Sequence, residues 1–313
     1  MHLVRHLFEL PFNLLSGGSV ATIGAYDGVH RGHAQLLDRV IAESKQRGVP
    51  SVVMSFEPMP REFFAAENPP ARLMRFREKF DALAAYGVDI FYCPRFDSEM
   101  RQIDVAAFIR RILIQGLNVR HLVVGDDFQF ARGREGGFDH LQRAGRALDF
   151  SLEQIPSIIV DDVRVSSTAI RQALWDGELK HASLLLGRPY RMSGKVVMGE
   201  KVGRTLGFPT ANVDIRRRQS AVMGIFAVRV DGLQGGLKDA VASVGTRPTF
   251  NGTKPQLEVH IFDFDESIYG DYIHVDFVAR LRSEKKFAAI DELVAQMHLD
   301  ADNARSILAE LAA

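Results

Sequence analysis

The first half of the chain alternates short apolar runs with longer stretches of helical periodicity. Val20–Ile23, Ser51–Phe56, Ile90–Tyr92, His121–Val124 and Leu152–Ile155 read as strands. Ala34–Gln46, Arg77–Tyr86, Val105–Gln115 and Thr168–Trp175 read as helices, and Val105, Phe108, Ile109 and Ile112 fall on one helical face. Such alternation predicts an α/β domain with a mostly parallel sheet covered by helices on both faces. Ligands of such sheets bind at the carboxyl ends of the strands.

The rhythm changes after about Leu185. "LLGRPYRMSGKVV" is punctuated by Gly187, Pro189 and Gly194 and reads as a linker. Short β-rich runs with turn glycines follow at Gly194–Met198, Ile225–Val230, Ala240–Val244, Gln256–Phe262 and Tyr272–Val278. Helical periodicity returns only from about Ala288. This predicts a small antiparallel β-barrel closed by a C-terminal helix. The expected domains are 1–185 and 186–313.

Composition narrows the class. A chain of 313 residues exceeds one average core, in keeping with two domains. Lys plus Arg and Asp plus Glu both number 39, which argues against a nucleic-acid footprint. The single cysteine, Cys93, excludes an intrachain disulfide and multi-cysteine zinc patterns, and it fits a reducing cytoplasm. The N-terminal stretch MHLVRHLFELPFNLL breaks its apolar residues with His2, Arg5, His6 and Glu9, so neither a signal peptide nor a membrane partner is expected. No run approaches the length of a transmembrane helix.

Three segments carry candidate chemistry. "GAYDGVHRGH" (Gly24–His33) leaves a strand and enters a helix near Gly32, at the ligand edge of the sheet. Free amides and the positive end of the helix dipole suit an anion there. Gly24 and Gly28 let the backbone approach a phosphate. His30 and His33 would share one side of the first turn and could donate to phosphate oxygens, neutralising charge during phosphoryl chemistry. The competing reading is a strand-to-helix turn with incidental histidines. The segment is neither a Walker A loop nor Gly-x-Gly-x-x-Gly.

"RVSSTAIRQAL" (Arg164–Leu174) offers Ser166, Ser167 and Thr168 as an N-cap cluster, with Arg171 one turn in. Alone it could be only a cap, but hydroxyls, amides and a guanidinium together make a phosphate clamp. "VVMGEKVGRTLGFPTANV" (Val196–Val213) supplies Gly199, Gly203 and Gly207, which can wrap phosphates. Thr210 and Asn212 alternate toward one side and offer neutral oxygens suited to Mg2+. Seen alone, the stretch could be a Gly/Pro-rich β-turn. In "QLEVHIFDF", Leu257, Val259 and Ile261 form one face, and Glu258 points the other way beside His260. A carboxylate so placed is ordinarily a solvated side chain.

HRGH with SSTAIR at the far end of the same α/β stretch resembles the nucleotidylyltransferase superfamily, whose first domain is Rossmann-like. With "RLMRFREKFDALAAYGVD", "VVGDDFQF", "GFPTANV", "SVGTRPTF" and "LEVHIFDFDESIYGDYIHVDF", the chain is similar nearly end to end to the prokaryotic bifunctional riboflavin kinase/FAD synthetase family. The resemblance implies that the first domain transfers AMP from ATP to FMN, giving FAD and pyrophosphate. His30, His33, Ser166, Ser167, Thr168 and Arg171 would then hold the ATP phosphates, with Gly24, Asp27 and Gly28 in the same loop. It implies a riboflavin kinase in the second domain, with Thr210 and Asn212 on Mg2+, the glycine loop on ATP, and Glu258 as catalytic base. Asp127 and Phe128 are candidates for the flavin pocket.

The chain departs from the family pattern at Glu57 and Met59, in "FEPMP" where Phe-Asp-Pro-His-Pro is usual. It departs again at Ala131 in place of Gly, and at Met198 and Val202 in place of His or Arg. Three alternatives stay in view, the first suggested by Glu57 and Met59. One is a monofunctional riboflavin kinase with an impaired first domain. Another is a non-catalytic flavin-binding protein. The third is a cytidylyltransferase for an alcohol phosphate, against which the GFPTAN barrel argues.

Overall fold

The computed structural model describes all residues except 10–12, 200–202, 204–205, 250–251 and 312–313. The chain forms two compact units, Met1–Pro70 with Met74–Ser166, and Ala71–Leu73 with Ser167–Ala313.

The first unit is built on a six-stranded sheet. Its strands are β1 (His2–Val4), β2 (Ser19–Ile23), β3 (Ser51–Met54), β4 (Ile90–Tyr92), β5 (Val119–Gly125) and β6 (Ser151–Ile155). They lie in the order β1-β4-β3-β2-β5-β6, and every pair is parallel. The chain steps outward from β2 through β3 to β4, then returns past β2 to β5. The order therefore reverses between β2 and β5, and the crevice at their carboxyl ends is the expected ligand site.

The inner strands β2 to β5 are largely apolar because both faces are covered. On one face, Ala21, Ile23, Val52, Met54, Leu122 and Val124 pack with Phe108, Ile109, Ile112, Leu113 and Leu141. On the other, Val53 and Phe91 meet Leu37 of α1 (Arg31–Arg47) and Leu83 of α3 (Phe76–Ala85), which follows the short α2 (Pro60–Phe64). Beyond α4 (Ser98–Gln102), the helix expected over Val105–Gln115 begins as α5 (Val105–Ala107) and runs on as a π-helix (Phe108–Gly116). The wider turn brings Leu113 into the buried stripe beside Phe108, Ile109 and Ile112. α6 (Phe138–Leu148) and a hairpin of β7 (Ile159–Val160) and β8 (Val163–Arg164) complete the unit. The hairpin turns through Asp161 and Asp162, both at positive φ, as a two-residue turn requires.

The second unit begins with α7 (Ser167–Asp176) and α8 (Leu179–Leu186). Instead of an extended linker, only Gly187, Arg188 and Pro189 separate α8 from the next strand. Six antiparallel strands, β9 (Tyr190–Val197), β10 (Ala211–Asp214), β11 (Gly224–Asp231), β12 (Lys238–Thr249), β13 (Gly252–Ile261) and β14 (Tyr272–Arg282), close a barrel in the order β10-β13-β12-β11-β14-β9. Its interior is filled by alternate residues such as Met192, Val213, Phe226, Leu257, Val259 and Phe277. The C-terminal helix α9 (Ile290–Glu310) covers one side, where Ala301, Ala304 and Leu308 pack with Ala227 and Val241. Arg282 grips Asp300 of that helix with three hydrogen bonds of 2.7–3.0 Å.

Candidate functional sites

The loop Gly24–His33 leaves the carboxyl end of β2 at the switch point. It is more buried than its glycine-rich sequence suggests, since Tyr26 and Val29 are core residues. Tyr26, Gly28 and Val29 have φ of 48°, 92° and 40°. Glycine accepts such angles freely, but tyrosine and the β-branched valine do so only when their surroundings force them. Five hydrogen bonds, among others, hold the loop. The Gly24 N–H donates to the Met54 carbonyl at 3.0 Å. The Tyr26 hydroxyl bonds Thr22 Oγ1 at 2.8 Å. The Ala25 carbonyl accepts from Lys79 Nζ at 2.6 Å and from Ser55 Oγ at 3.1 Å. Asp27 Oδ1 accepts the Met74 N–H at 2.9 Å. Asp27, expected at ATP, is buried and braces the loop through this bond.

His30 caps α1. The His33 N–H donates to His30 Nδ1 at 3.3 Å, which leaves the His30 proton on Nε2. The two rings stack at 3.6 Å, as the spacing predicted, and His33 also meets the Tyr26 ring at 4.7 Å. Burial, and then the nearby His30 and Lys79, hold the His33 pKa well below its usual value. At neutral pH His33 is a neutral imidazole, not the resident cation that a charge-neutralising role supposes. Its Nδ1 is buried with no hydrogen-bond partner.

At the neighbouring end of β5, the Asp127 carboxylate pairs with Arg164 at 2.8 Å, and Phe128 stacks on Phe130 with centroids 5.7 Å apart. Glu57 lines a cavity of about 460 Å³ with Arg5, His6, Pro58 and Arg95. Met59 is buried at the start of α2, where its N–H donates to Glu62 Oε2 at 3.0 Å. Ser166 ends the first unit, and Ser167 and Thr168 open α7 in the second. Arg171, one turn in, donates from Nε to the Ala71 carbonyl at 2.6 Å.

The barrel gathers the second set of residues. Asn212 on β10 lies directly opposite Glu258 on β13. Gln256, Glu258 and His260 form the half-buried outward row of β13, while Leu257 and Val259 point inside. Gln256 Nε2 donates to Asn212 Oδ1 at 2.8 Å, and His260 Nδ1 donates to the Pro209 carbonyl at 2.8 Å. Phe208 N–H bonds the Gly203 carbonyl at 2.8 Å, and Phe208 meets the His260 ring edge-on at 5.1 Å. A side chain at Gly199 would collide with the Asn212 amide, and one at Gly203 would meet the Phe208 carbonyl and Thr210 Oγ1. Gly199, Gly203, Thr210, Asn212 and Glu258 therefore share one neighbourhood, with Gly207 at positive φ in the turn between them. Met198 is exposed in the same loop, and Val202 lies outside the described residues.

Sequence reasoning missed Tyr26, Ser55, Lys79 and Gln256. Gln256 shares the alternation that singles out Glu258. Lys79 stands on the apolar stripe of α3, a turn from both Phe76 and Leu83, and a lysine there is itself a signal.

Two family models match the chain, FAD synthetase over residues 14–169 and riboflavin kinase over residues 186–308. The bifunctional riboflavin kinase/FMN adenylyltransferase of Escherichia coli (strain K12) is 48% identical over 305 residues, covering 97% of each chain. Those of Pseudomonas fluorescens and Haemophilus influenzae are 44% and 40% identical, each over at least 98% of both chains. A solved structure titled as a macrolide-efflux protein from Streptococcus pneumoniae superposes with a TM-score of 0.81 at 30% identity, covering 97% of this chain and 98% of that one. No described helix here is long and apolar enough to cross a membrane. Matched by both family models and along nearly its whole length by these relatives, the chain belongs to the bifunctional riboflavin kinase/FMN adenylyltransferase family.

Proposed function

We propose that the enzyme's two activities divide near residue 185, with FMN adenylylation in 1–185 and riboflavin phosphorylation in 186–313. One observation carries the kinase assignment: the register that sets Asn212 against Glu258 beside the glycine loop. Glu258 takes the proton from the terminal ribityl hydroxyl as that oxygen attacks the γ-phosphorus of ATP, and ADP leaves. A sugar alcohol is a poor nucleophile and needs such a base; the remainder of phosphoryl transfer is positioning and charge stabilisation. Thr210 Oγ1 and the second lone pair of Asn212 Oδ1 are neutral oxygens of the kind Mg2+ accepts, and they would hold it. Bound there, the ion would neutralise phosphate charge.

In adenylyl transfer an oxygen of the FMN phosphate attacks the α-phosphorus of a second ATP, and the bond to pyrophosphate breaks. That phosphate is already anionic, so no strong base is required. His30 and His33 donate hydrogen bonds to the α-phosphate and the departing pyrophosphate. Ser166, Ser167, Thr168 and Arg171 are assigned to ATP phosphates, and Asp127 and Phe128 to the flavin. Matches to both family models favour this reading over a kinase with a decayed first domain, despite Glu57 and Met59. The substrates are small molecules, and the balanced charge and lone buried Cys93 support a cytoplasmic enzyme without nucleic-acid or membrane partners.

The experiment is Glu258→Gln. FMN formation should fall about 10²- to 10⁴-fold, the usual worth of a positioned base, while FAD formation from supplied FMN persists. Kinase activity within a few-fold of wild type would make Glu258 a surface carboxylate.

A further inference from the structure

Lys79 is an unusual residue for its position. It lies on α3, is only 2% exposed, and sits on the face that packs under the sheet. Lysine is almost never buried so fully without a specific partner. Its ammonium reaches the loop between β2 and α1, donating to the Ala25 carbonyl at 2.6 Å and to Ser55 Oγ at 3.3 Å. Ser55 Oγ in turn donates to the same carbonyl at 3.1 Å. One carbonyl thus takes two donors, immediately before the three residues of positive φ. A loop with two non-glycine residues in that region keeps its shape only if its surroundings over-determine it. Turning the Ala25 carbonyl inward onto a cation supplies that constraint.

We propose that Lys79 is a positioning residue for adenylyl transfer, a buried cation that fixes the Gly24–His33 loop from behind and lends its positive charge to the polyphosphate in front. The assignment rests on placing adenylyl transfer at this loop. A fixed charge in a water-poor site acts on a bound phosphate without reorganisation, the arrangement most effective for stabilising charge in a transition state. The same charge acts on His33, whose titratable and ring neighbours are His30 in its own turn, Tyr26 across the loop and Lys79 from α3. The Tyr26 phenol is fully buried and pushed upward, so it stays neutral. Lys79 and any charge on His30 both oppose protonation of His33, which keeps the ring available as a neutral donor.

The test is Lys79→Met, which keeps most of the side chain's length and removes the charge. With fold confirmed by circular dichroism and by an unchanged rate of riboflavin phosphorylation, kcat/KM for ATP in FAD formation from FMN should fall about 10- to 100-fold, the cost of a small misplacement in a phosphate site. The acid limb of the pH–rate profile should move to higher pH, because His33 loses a repelling neighbour. Lys79→Arg keeps the charge and should leave that limb in place, as should Ser55→Ala, which removes two hydrogen bonds but no charge. If Lys79→Met fails to fold, Lys79→Gln, neutral but able to donate to Ala25, carries the same measurement. A loss below threefold, or a loss without movement of the acid limb, would overturn the proposal. His33→Ala assayed alongside separates the cases: no loss there refutes the site, whereas a loss there with unaffected Lys79 variants refutes only the role of Lys79.

Discussion

Ala131 closes the DFQF segment with φ of 66° and ψ of −177°. This region of backbone space is nearly confined to glycine, and holding another residue there costs on the order of 1–3 kcal/mol. Glycine adopts these angles freely, so Ala131→Gly should release strain. Two terms oppose the gain. The Ala131 methyl packs half-buried against the core of one sheet face, and losing it costs about 0.4 kcal/mol, half the worth of a buried carbon. Glycine also loses more chain entropy on folding, about 0.5–1 kcal/mol. Taking the middle of each range leaves a net stabilisation of about 0.9 kcal/mol. For a unit of this size the midpoint of thermal unfolding should rise by roughly 2–4 °C. Differential scanning calorimetry on the whole enzyme should locate the change in one transition, because Ala131 lies in the first unit. Ala144→Gly, in the interior of α6, is the control and should lower the same transition, since glycine costs about 1 kcal/mol in a helix. An unchanged or lower midpoint for Ala131→Gly would refute the strain argument.

Two further predictions concern other parts of the chain. The His33 pKa is lowered from the usual 6.5, so below that pH the unfolded chain binds a proton that the folded state refuses. Stability should therefore fall as pH drops from neutrality through about 6.5, with a slope approaching about 1.4 kcal/mol per pH unit. His121, also lowered by burial, adds in the same direction, so His33→Gln should reduce the slope without abolishing it, as urea melts across that range would read. Gly199→Ala should displace the Asn212 amide and cut riboflavin phosphorylation at least tenfold while sparing FAD formation from FMN; a wild-type rate of riboflavin phosphorylation in this variant would remove Asn212 from the site.

The parts of this enzyme legible in its sequence are those whose chemistry is local. HRGH and SSTAIR each crowd their functional groups into one turn at a helix start, and GFPTAN does so within one extended segment. The apolar strands β2 to β5 announce themselves because both sheet faces are buried. β1 escaped because it has three residues and only Val4 is buried. The end of α8 and the start of β9 read as a linker because glycine and proline cluster at their junction, where three residues suffice to connect them. The Asn212–Glu258 pairing joins distant segments through barrel register, which no local pattern encodes. For Lys79 the sequence shows only a lysine on an apolar stripe, since its partners Ala25 and Ser55 come from two other loops.

The central claim is that one chain holds two independent sites, one at His33 and one at Glu258. It is tested most directly by mixing. With riboflavin and MgATP, His33→Ala alone should accumulate FMN, and Glu258→Gln alone should form little FMN or FAD. An equimolar mixture of the two purified variants should make FAD from riboflavin, because FMN released by the first is adenylylated by the second. Failure of the mixture to make FAD, when each variant retains its own half-reaction on supplied substrate, would contradict free passage of FMN between separate sites. FAD formation from riboflavin by either variant alone at the wild-type rate would contradict the assignment of that residue.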